Sequence, residues 1–509
     1  MSNLEAAGAP SAVATDRRAL VVLAAFLAAR LVFAFLLGPG VDESYTLAIS
    51  RTLNLSYFDH PPLHQWMAHF AAHCFGEGVG ARLPFIVLFA ATGWLIYMLT
   101  EDLFGPQAAI VALFSLNVAP FFFASAGTWI LPDGPLLFGL SLAAVTLARL
   151  LFQNGNERAW RLWLLAGAGF GIAGLSKYSA ALTIAGLAAF FALAPKERRW
   201  LRRPEPYVAA VLAALIVAPV FLWNADHGWV SFPVQGSRGA PSAFRPLQGL
   251  QMALGKIVYL LPWLFAALLA GLAAAWRTRR DERRLFPLCL ALPTILVFTL
   301  TPFWGGRGLP QWTMPGWLFA FPLLGAWVEE RSLSPRRLRA WALVSASFLA
   351  AVVAVVTVQA RTGRLLRLVP PTRAIPDPTL EAFSWDSLRK AAPLNPPPAF
   401  VVATKWSDAG KLALALGPSA PVFVVSDDPR GWAFVGGGAK PIGLDDVIVA
   451  RSADAAVAEA LAAPLFDALG LPRSKVSLTR NRYPEIELAL VPAMGLKREL
   501  PLPYPGPRR

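Results

Sequence analysis

The chain has 509 residues, of which 56% are hydrophobic and only 15% charged, against roughly 45–50% and about 25% in soluble globular domains. That composition excludes an ordinary soluble globule. The formal net charge of +15, from 46 Lys and Arg against 31 Asp and Glu, goes with an inner membrane rather than with nucleic acid, because a nucleic-acid surface would cluster basic residues among polar and aromatic ones. Two cysteines, Cys74 and Cys289, make neither a disulfide framework nor a CxxC pair.

A membrane-spanning helix needs about 20 predominantly apolar residues. Stretches of this kind fall near 19–37, 83–100, 107–125, 135–152, 162–175, 178–194, 206–223, 251–275, 285–303, 312–328 and 340–359, which predicts about 11 spans after a cytoplasmic tail at 1–18. The first stretch has no small-residue cleavage site before Asp42 and further spans follow at once, so it reads as a retained helix rather than a signal peptide. Alternating the spans puts Arg17 and Arg18, Arg158 and Arg161, the run Lys196 to Arg203, the run Arg277 to Arg284, and Arg331 to Arg339 on one side, as cytoplasmic loops require. The outer loops then hold single charges such as Arg51, Arg82, Lys177, Arg238, Arg245 and Arg307. This bias depends on reading 162–194 as two short spans with a turn around Gly174 to Tyr178.

Beyond a polytopic domain at 19–359, prolines from Pro370 to Pro398 predict an extended linker over 360–398. Residues 399–509 read as a soluble α/β or α+β domain, with strands at Ala399 to Thr404, Pro421 to Ser426 and Ile486 to Val491 and helices at Asp408 to Leu416 and Ala455 to Leu469. An odd number of spans puts this domain outside the cytoplasm. Gly436 to Gly438 opens no helix, so no phosphate-binding glycine loop is present in it.

Charged groups at the outer edge of the membrane, concentrated in the loop 38–82, are the informative residues, because a carboxylate there is costly unless it faces water, a partner or a substrate. Asp42 and Glu43 follow the first span directly, where Asp42 can meet an acceptor hydroxyl from the outer side; the same pair also suits the N-terminus of a following helix. Tyr57-Phe58-Asp59-His60-Pro61-Pro62 is a loop that two prolines keep from becoming helix, and Asp59 with His60 reads as a metal or phosphate site. His69 and His73 stand four apart, a metal spacing, but with no acid to complete a site they read as an interfacial helix face. Asp133 in Leu131-Pro132-Asp133-Gly134-Pro135 is a lone outer acid or a turn residue. His227 and Arg307 close the set: a guanidinium suits phosphoryl oxygens, and Arg307 with Trp312 equally suits anchoring of a span.

Taken in order, the Asp42-Glu43 pair, the Tyr57 to Leu63 loop, the Pro132-Asp133 turn and Leu309-Pro310-Gln311-Trp312 to Pro315 resemble the GT-C membrane glycosyltransferases. The likeness is to glycosyltransferase families 39 and 83, which include protein O-mannosyltransferases and the lipid A aminoarabinose and galacturonic acid transferases, and it covers roughly 19–330. The resemblance implies an all-α GT-C membrane fold and inverting transfer of a sugar from a polyprenyl phosphate carrier to a lipid, glycan or protein acceptor at the outer face of a bacterial inner membrane. It implies Asp42 as base with Glu43 supporting it and Asp133 completing the acidic site. Asp59, His60, Lys177, Arg238, Arg307 and Trp312 would face the donor or its phosphate, and Asp59 with His227 would hold a divalent metal ion. The chain departs from the family at His60, where the aminoarabinose branch has Lys, at Gly308, where a basic residue is usual, and at Trp312, where Tyr is usual.

A polytopic transporter or flippase is the rival reading. Against it, the acids collect at one membrane face, whereas transporter sites lie near the bilayer midplane.

Overall fold

The computed structural model of the chain describes residues 16–153, 155–240, 243–306, 308–369, 376–391, 394, 398–435, 442–470, 474–498 and 504. Helices occupy every one of the apolar stretches, beginning with α1 (Arg17–Leu36), then the short α2 (Val41–Ser50) and α3 (Leu63–Phe75), then α4 (Leu83–Phe104) and α5 (Pro106–Val118). Among the described residues six helices are long and apolar enough to cross a membrane, or up to eight if each of two bent pairs is one span, so the expected 11 full spans are not established and neither is the orientation that an odd count implied.

The shortfall has local causes. The stretch read as one span at 251–275 is two helices, Pro246–Leu260 and Pro262–Arg277, which meet at 104°. Pro262 cannot donate to the preceding turn, and Leu261 takes a left-handed φ of 65°. The run 107–125 breaks at Pro120, where α5 turns by 80° into Phe121–Thr128. Carbonyls released at that break are met by Arg30, buried in α1, whose guanidinium donates to the Phe122 and Phe123 oxygens at 3.3 Å and to Asn117 Oδ1 at 2.9 Å. Residues 162–194 form two helices, Ala159–Gly174 and Ala180–Leu193, separated by a turn that carries Lys177.

The C-terminal domain is built on a mixed six-stranded sheet: β1 (Val401–Ala403), β2 (Val422–Val424), β3 (Asp446–Arg451), β4 (Phe466–Leu469), β5 (Ser474–Arg480) and β6 (Tyr483–Leu496). β1 pairs in parallel with β2 and β3, and β3, β4 and β5 all pair antiparallel with β6. The helix expected to run to Leu469 stops at Ala462, since Pro464 has no N–H for it, and the chain continues as β4. Strands β3 and β5 were not expected. The proline-rich stretch is only partly an extended linker: turns at Pro378–Ala382 and Asp386–Lys390 interrupt it, and Trp385 and Leu388 are buried in the core of the C-terminal domain. Prolines 370, 371, 396 and 397 lie outside the described residues.

The two parts of the chain are packed together through α2. The helix Trp406–Leu416 lies so close to α2 that a Cβ on Gly410 would stand 2.7 Å from the Tyr45 nitrogen. Arg51 at the end of α2 pairs with Glu77 at 2.7 Å and donates to the Ala413 carbonyl at 2.7 Å, while Lys411 donates to the Pro39 carbonyl at 2.5 Å. Burial pushes the Lys411 ammonium down to about 8.

Candidate functional site

The site grows from the N-terminus of α2. Glu43 at its third position accepts from the Gly40 N–H at 2.8 Å, which closes the first turn, and from the Ile130 N–H at 3.1 Å, which ties the helix to the segment before Asp133. Both oxygens also receive Arg82, at 2.8 and 2.6 Å. Arg82 spends its remaining donors on the carbonyls of Ala34, Leu37 and Gly38 at the end of α1. Burial alone would raise the Glu43 carboxyl, but the Arg82 charge and these hydrogen bonds hold it below its ordinary value. Glu43 is therefore a buried, fully engaged carboxylate that fixes its neighbours.

Asp42 is its opposite. It is exposed, it accepts no hydrogen bond from a described residue, and it sits in a recess walled by enough protein that its carboxyl is raised above the ordinary value, through desolvation first. The Arg430 charge opposes that rise, while Glu381, Asp59 and Glu43 add to it. A carboxylate that water can reach and that no protein group has claimed is what a general base requires.

The double-proline loop supplies Asp59, whose charge acts on Asp42. Asp59 is buried and accepts from the Tyr45 hydroxyl at 2.9 Å, its backbone carbonyl accepts from Gln235 Nε2 at 2.7 Å, and Gln235 Oε1 accepts from Arg238 at 3.2 Å. His60 is held neutral: burial first, then the charges of Lys177, Arg238 and Arg430, push its imidazole well below 6.5. It thus serves as a hydrogen-bonding group and not as the cation that a lysine in its place would be. Leu63 N–H donates to the Leu175 carbonyl at 3.1 Å, joining this loop to the Lys177 turn. Lys177 in turn grips Asp133, the first residue of the helix Asp133–Phe152, at 3.0 and 3.1 Å.

The structure thus gathers Asp42, Asp59, His60, Lys177, Asp133 and Arg238 at one end of the helices. The other candidates are engaged in contacts of their own. His227 stacks on Trp223 at 4.0 Å, stands edge-on to Phe434 at 5.8 Å, and shares its Nδ1 with the Trp223 carbonyl. Trp312 packs against Phe298 at 5.6 Å, and Arg307 lies outside the described residues. His69 and His73 bond to the carbonyls of Ser50 and His69. Among the described residues no three His, Cys, Asp or Glu side chains are grouped to hold a metal ion. Asp59 is committed to Tyr45 and has a guanidinium 4.0 Å away, and His227 is committed to its aromatic stack, so the pair does not fit a divalent metal.

Four participants were not singled out from the sequence: Arg82, Tyr45, Gln235 and Arg430. Arg82 had been seen as one scattered outer charge, and Tyr45 lies inside the Asp42 motif. Gln235 carries no signal of its own. Arg430 belongs to the compact Asp428-Pro429-Arg430-Gly431-Trp432 turn of the C-terminal domain, whose only cue is an arginine between a proline and a glycine.

Residues 59–223 match the family described as dolichyl-phosphate-mannose-protein mannosyltransferase. The structure of ArnT from Cupriavidus metallidurans bound to undecaprenyl phosphate superposes with a TM-score of 0.62 at 18% identity, over 92% of this chain and 97% of that one. The chain shares the fold of that protein. Two curated proteins of similar sequence are the lipid A galacturonosyltransferase RgtD of Rhizobium johnstonii, 26% identical over 51% of this chain and 54% of its own length, and the undecaprenyl phosphate-alpha-4-amino-4-deoxy-L-arabinose arabinosyl transferase of Pseudomonas aeruginosa, 26% identical over 54% of this chain and 65% of its own. The chain thus spans between half and two thirds of the length of these relatives.

Proposed function

We propose that the chain is an inverting glycosyltransferase that takes a sugar from a polyprenyl phosphate and passes it to a hydroxyl of a lipid, glycan or protein acceptor, with the site and the C-terminal domain at the outer face of a bacterial inner membrane. The observation that carries this reading is the unclaimed carboxylate of Asp42, which feels the charges of Asp59 and Arg430, while Arg430 is also felt by His60 together with Lys177 and Arg238. Asp42 takes the proton of the acceptor hydroxyl as its oxygen attacks the anomeric carbon. The bond from that carbon to the phosphate oxygen breaks, and the polyprenyl phosphate leaves with the electron pair. Nearby cations favour the charge that gathers on the departing phosphate. One base and a direct displacement invert the anomeric centre. Lys177 acts with Asp133 as a fixed pair, and Glu43 positions the helix that carries Asp42.

The likeness to a galacturonosyltransferase and an arabinosyl transferase supports the chemistry, and the likeness to the ArnT structure with undecaprenyl phosphate supports the carrier. A transporter is disfavoured by the placement of the charged groups at helix ends and turns. No step is assigned to a metal. The test is Asp42→Asn in proteoliposomes supplied with a polyprenyl-phosphate-linked sugar: turnover falls by roughly 100- to 10,000-fold while the protein inserts and unfolds as the parent does. Near-parental turnover removes Asp42 from the chemistry.

A further inference from the structure

Arg430 is 192 positions or more from every membrane-domain residue of the recess in chain order, yet the tertiary structure carries it to the rim. The turn that bears it is fastened on three sides. The Gly431 N–H donates to the Tyr45 hydroxyl at 2.9 Å, the same hydroxyl that donates to Asp59. The Arg430 N–H donates to the Tyr504 hydroxyl at 3.3 Å, and Phe434 stacks on Phe58 at 5.4 Å. The guanidinium lies flat over the Trp406 ring at 3.7 Å. To reach this place Arg430 adopts φ 50°, a left-handed conformation that a side chain with a Cβ rarely takes.

What the guanidinium does there is little. It stands 4.0 Å from Asp59 and 3.8 Å from Asp428, beyond hydrogen-bonding reach, and it donates no hydrogen bond to a described residue. Its Nε is screened from solvent without a hydrogen-bond partner. A strained backbone, an aromatic platform and a hydroxyl shared with Asp59 have therefore been assembled to present a planar cation with its donors unspent. Its field reaches both Asp42 and His60, so it faces the same recess.

Resting on the glycosyl-transfer reading, we infer that Arg430 is a phosphate ligand supplied to the membrane site by the C-terminal domain, so that the site is complete only with that domain docked. A guanidinium fork meets two phosphoryl oxygens at once, which Asp59 at its present distance does not match. The phosphate is that of the carrier or one on the acceptor lipid.

The experiment measures binding to the full-length protein in nanodiscs, with undecaprenyl phosphate in one arm and lipid A in the other. Arg430→Ala weakens binding roughly 10- to 100-fold, the loss expected for charge-assisted hydrogen bonds, and Arg430→Lys recovers only part of it. Loss in the first arm assigns the carrier phosphate, and loss confined to the second assigns an acceptor phosphate; both support the inference. Unchanged binding in both arms by a variant that unfolds as the parent does overturns it. Should Arg430→Ala not fold, Arg430→Lys makes the same comparison, since it keeps the charge and removes the fork. Parental protein that binds neither probe overturns the glycosyl-transfer reading instead, and the inference falls with it.

Discussion

Two adjacent acids, Asp42 and Glu43, are assigned opposite duties, and Glu43→Gln separates them. The native carboxylate accepts four hydrogen bonds: two from Arg82, one from the Gly40 N–H and one from the Ile130 N–H. An amide keeps one oxygen as an acceptor and turns the other atom into a donor. If the amide nitrogen replaces Oε2, it faces Arg82 Nη2 and the Gly40 N–H, both donors, and two contacts become repulsive. The Arg82 guanidinium, 1% exposed, also loses its counter-charge. Breaking a buried pair from one side costs about 3–5 kcal/mol. The expected outcome is a loss of that size in unfolding free energy of the purified protein in detergent, followed by urea or heat, with Asp42→Asn unchanged in the same assay. A Glu43→Gln cost below about 1 kcal/mol would refute the reasoning, because it would mean that the pair contributes no more than an exposed salt bridge does.

Acid should weaken the fold from near pH 6.5 downward. His60 and His64 bind protons in the unfolded chain below 6.5 but resist them in the folded one, since burial holds both imidazoles well below that value, so the unfolded state gains protons first and stability falls as pH falls. His64→Gln flattens the slope of melting temperature between pH 5.5 and 7, and a slope that His64→Gln leaves intact contradicts the assignment. For activity, the raised Asp42 carboxyl moves the acid limb of the rate profile above 3.8; a limb at or below that value in kcat/KM removes the recess as the cause. Gly410→Ala puts a methyl group 2.7 Å from the Tyr45 nitrogen, so the helix Trp406–Leu416 must lift from α2, and both turnover and protease resistance of the C-terminal domain should drop. Retained turnover with increased cleavage would show that the domain is not needed at the site.

Much of the membrane part is legible in order along the chain, because helices and their breaks are local events. Long apolar runs make the helices, Pro120 and Pro262 bend them, and the turn around Lys177 divides 162–194 as the charge pattern required. The strands of the C-terminal domain were harder. β3 and β5 gain their stability from pairing with β6 far along the chain, and the helix reading of 455–469 failed because apolar periodicity does not separate a short helix from a helix followed by a buried strand.

The candidate site divides in the same way. Asp42, Asp59, His60, Asp133 and Lys177 stand out in the sequence because charge at a membrane edge is rare enough to be conspicuous. The pairing of Lys177 with Asp133, the capture of Glu43 by Arg82 and the diversion of His227 into an aromatic stack do not, since each joins segments that only helix packing brings together. The sequence by itself determined a basic, very apolar chain with its acids at the ends of spans. Tertiary structure decided which acid is free and which is spent, and it brought the Arg430 turn to Tyr45, which Gly431 reaches across 386 positions. The physical reason is that a charge's role depends on its partners and its solvent, and for buried groups both are set by segments distant in the chain.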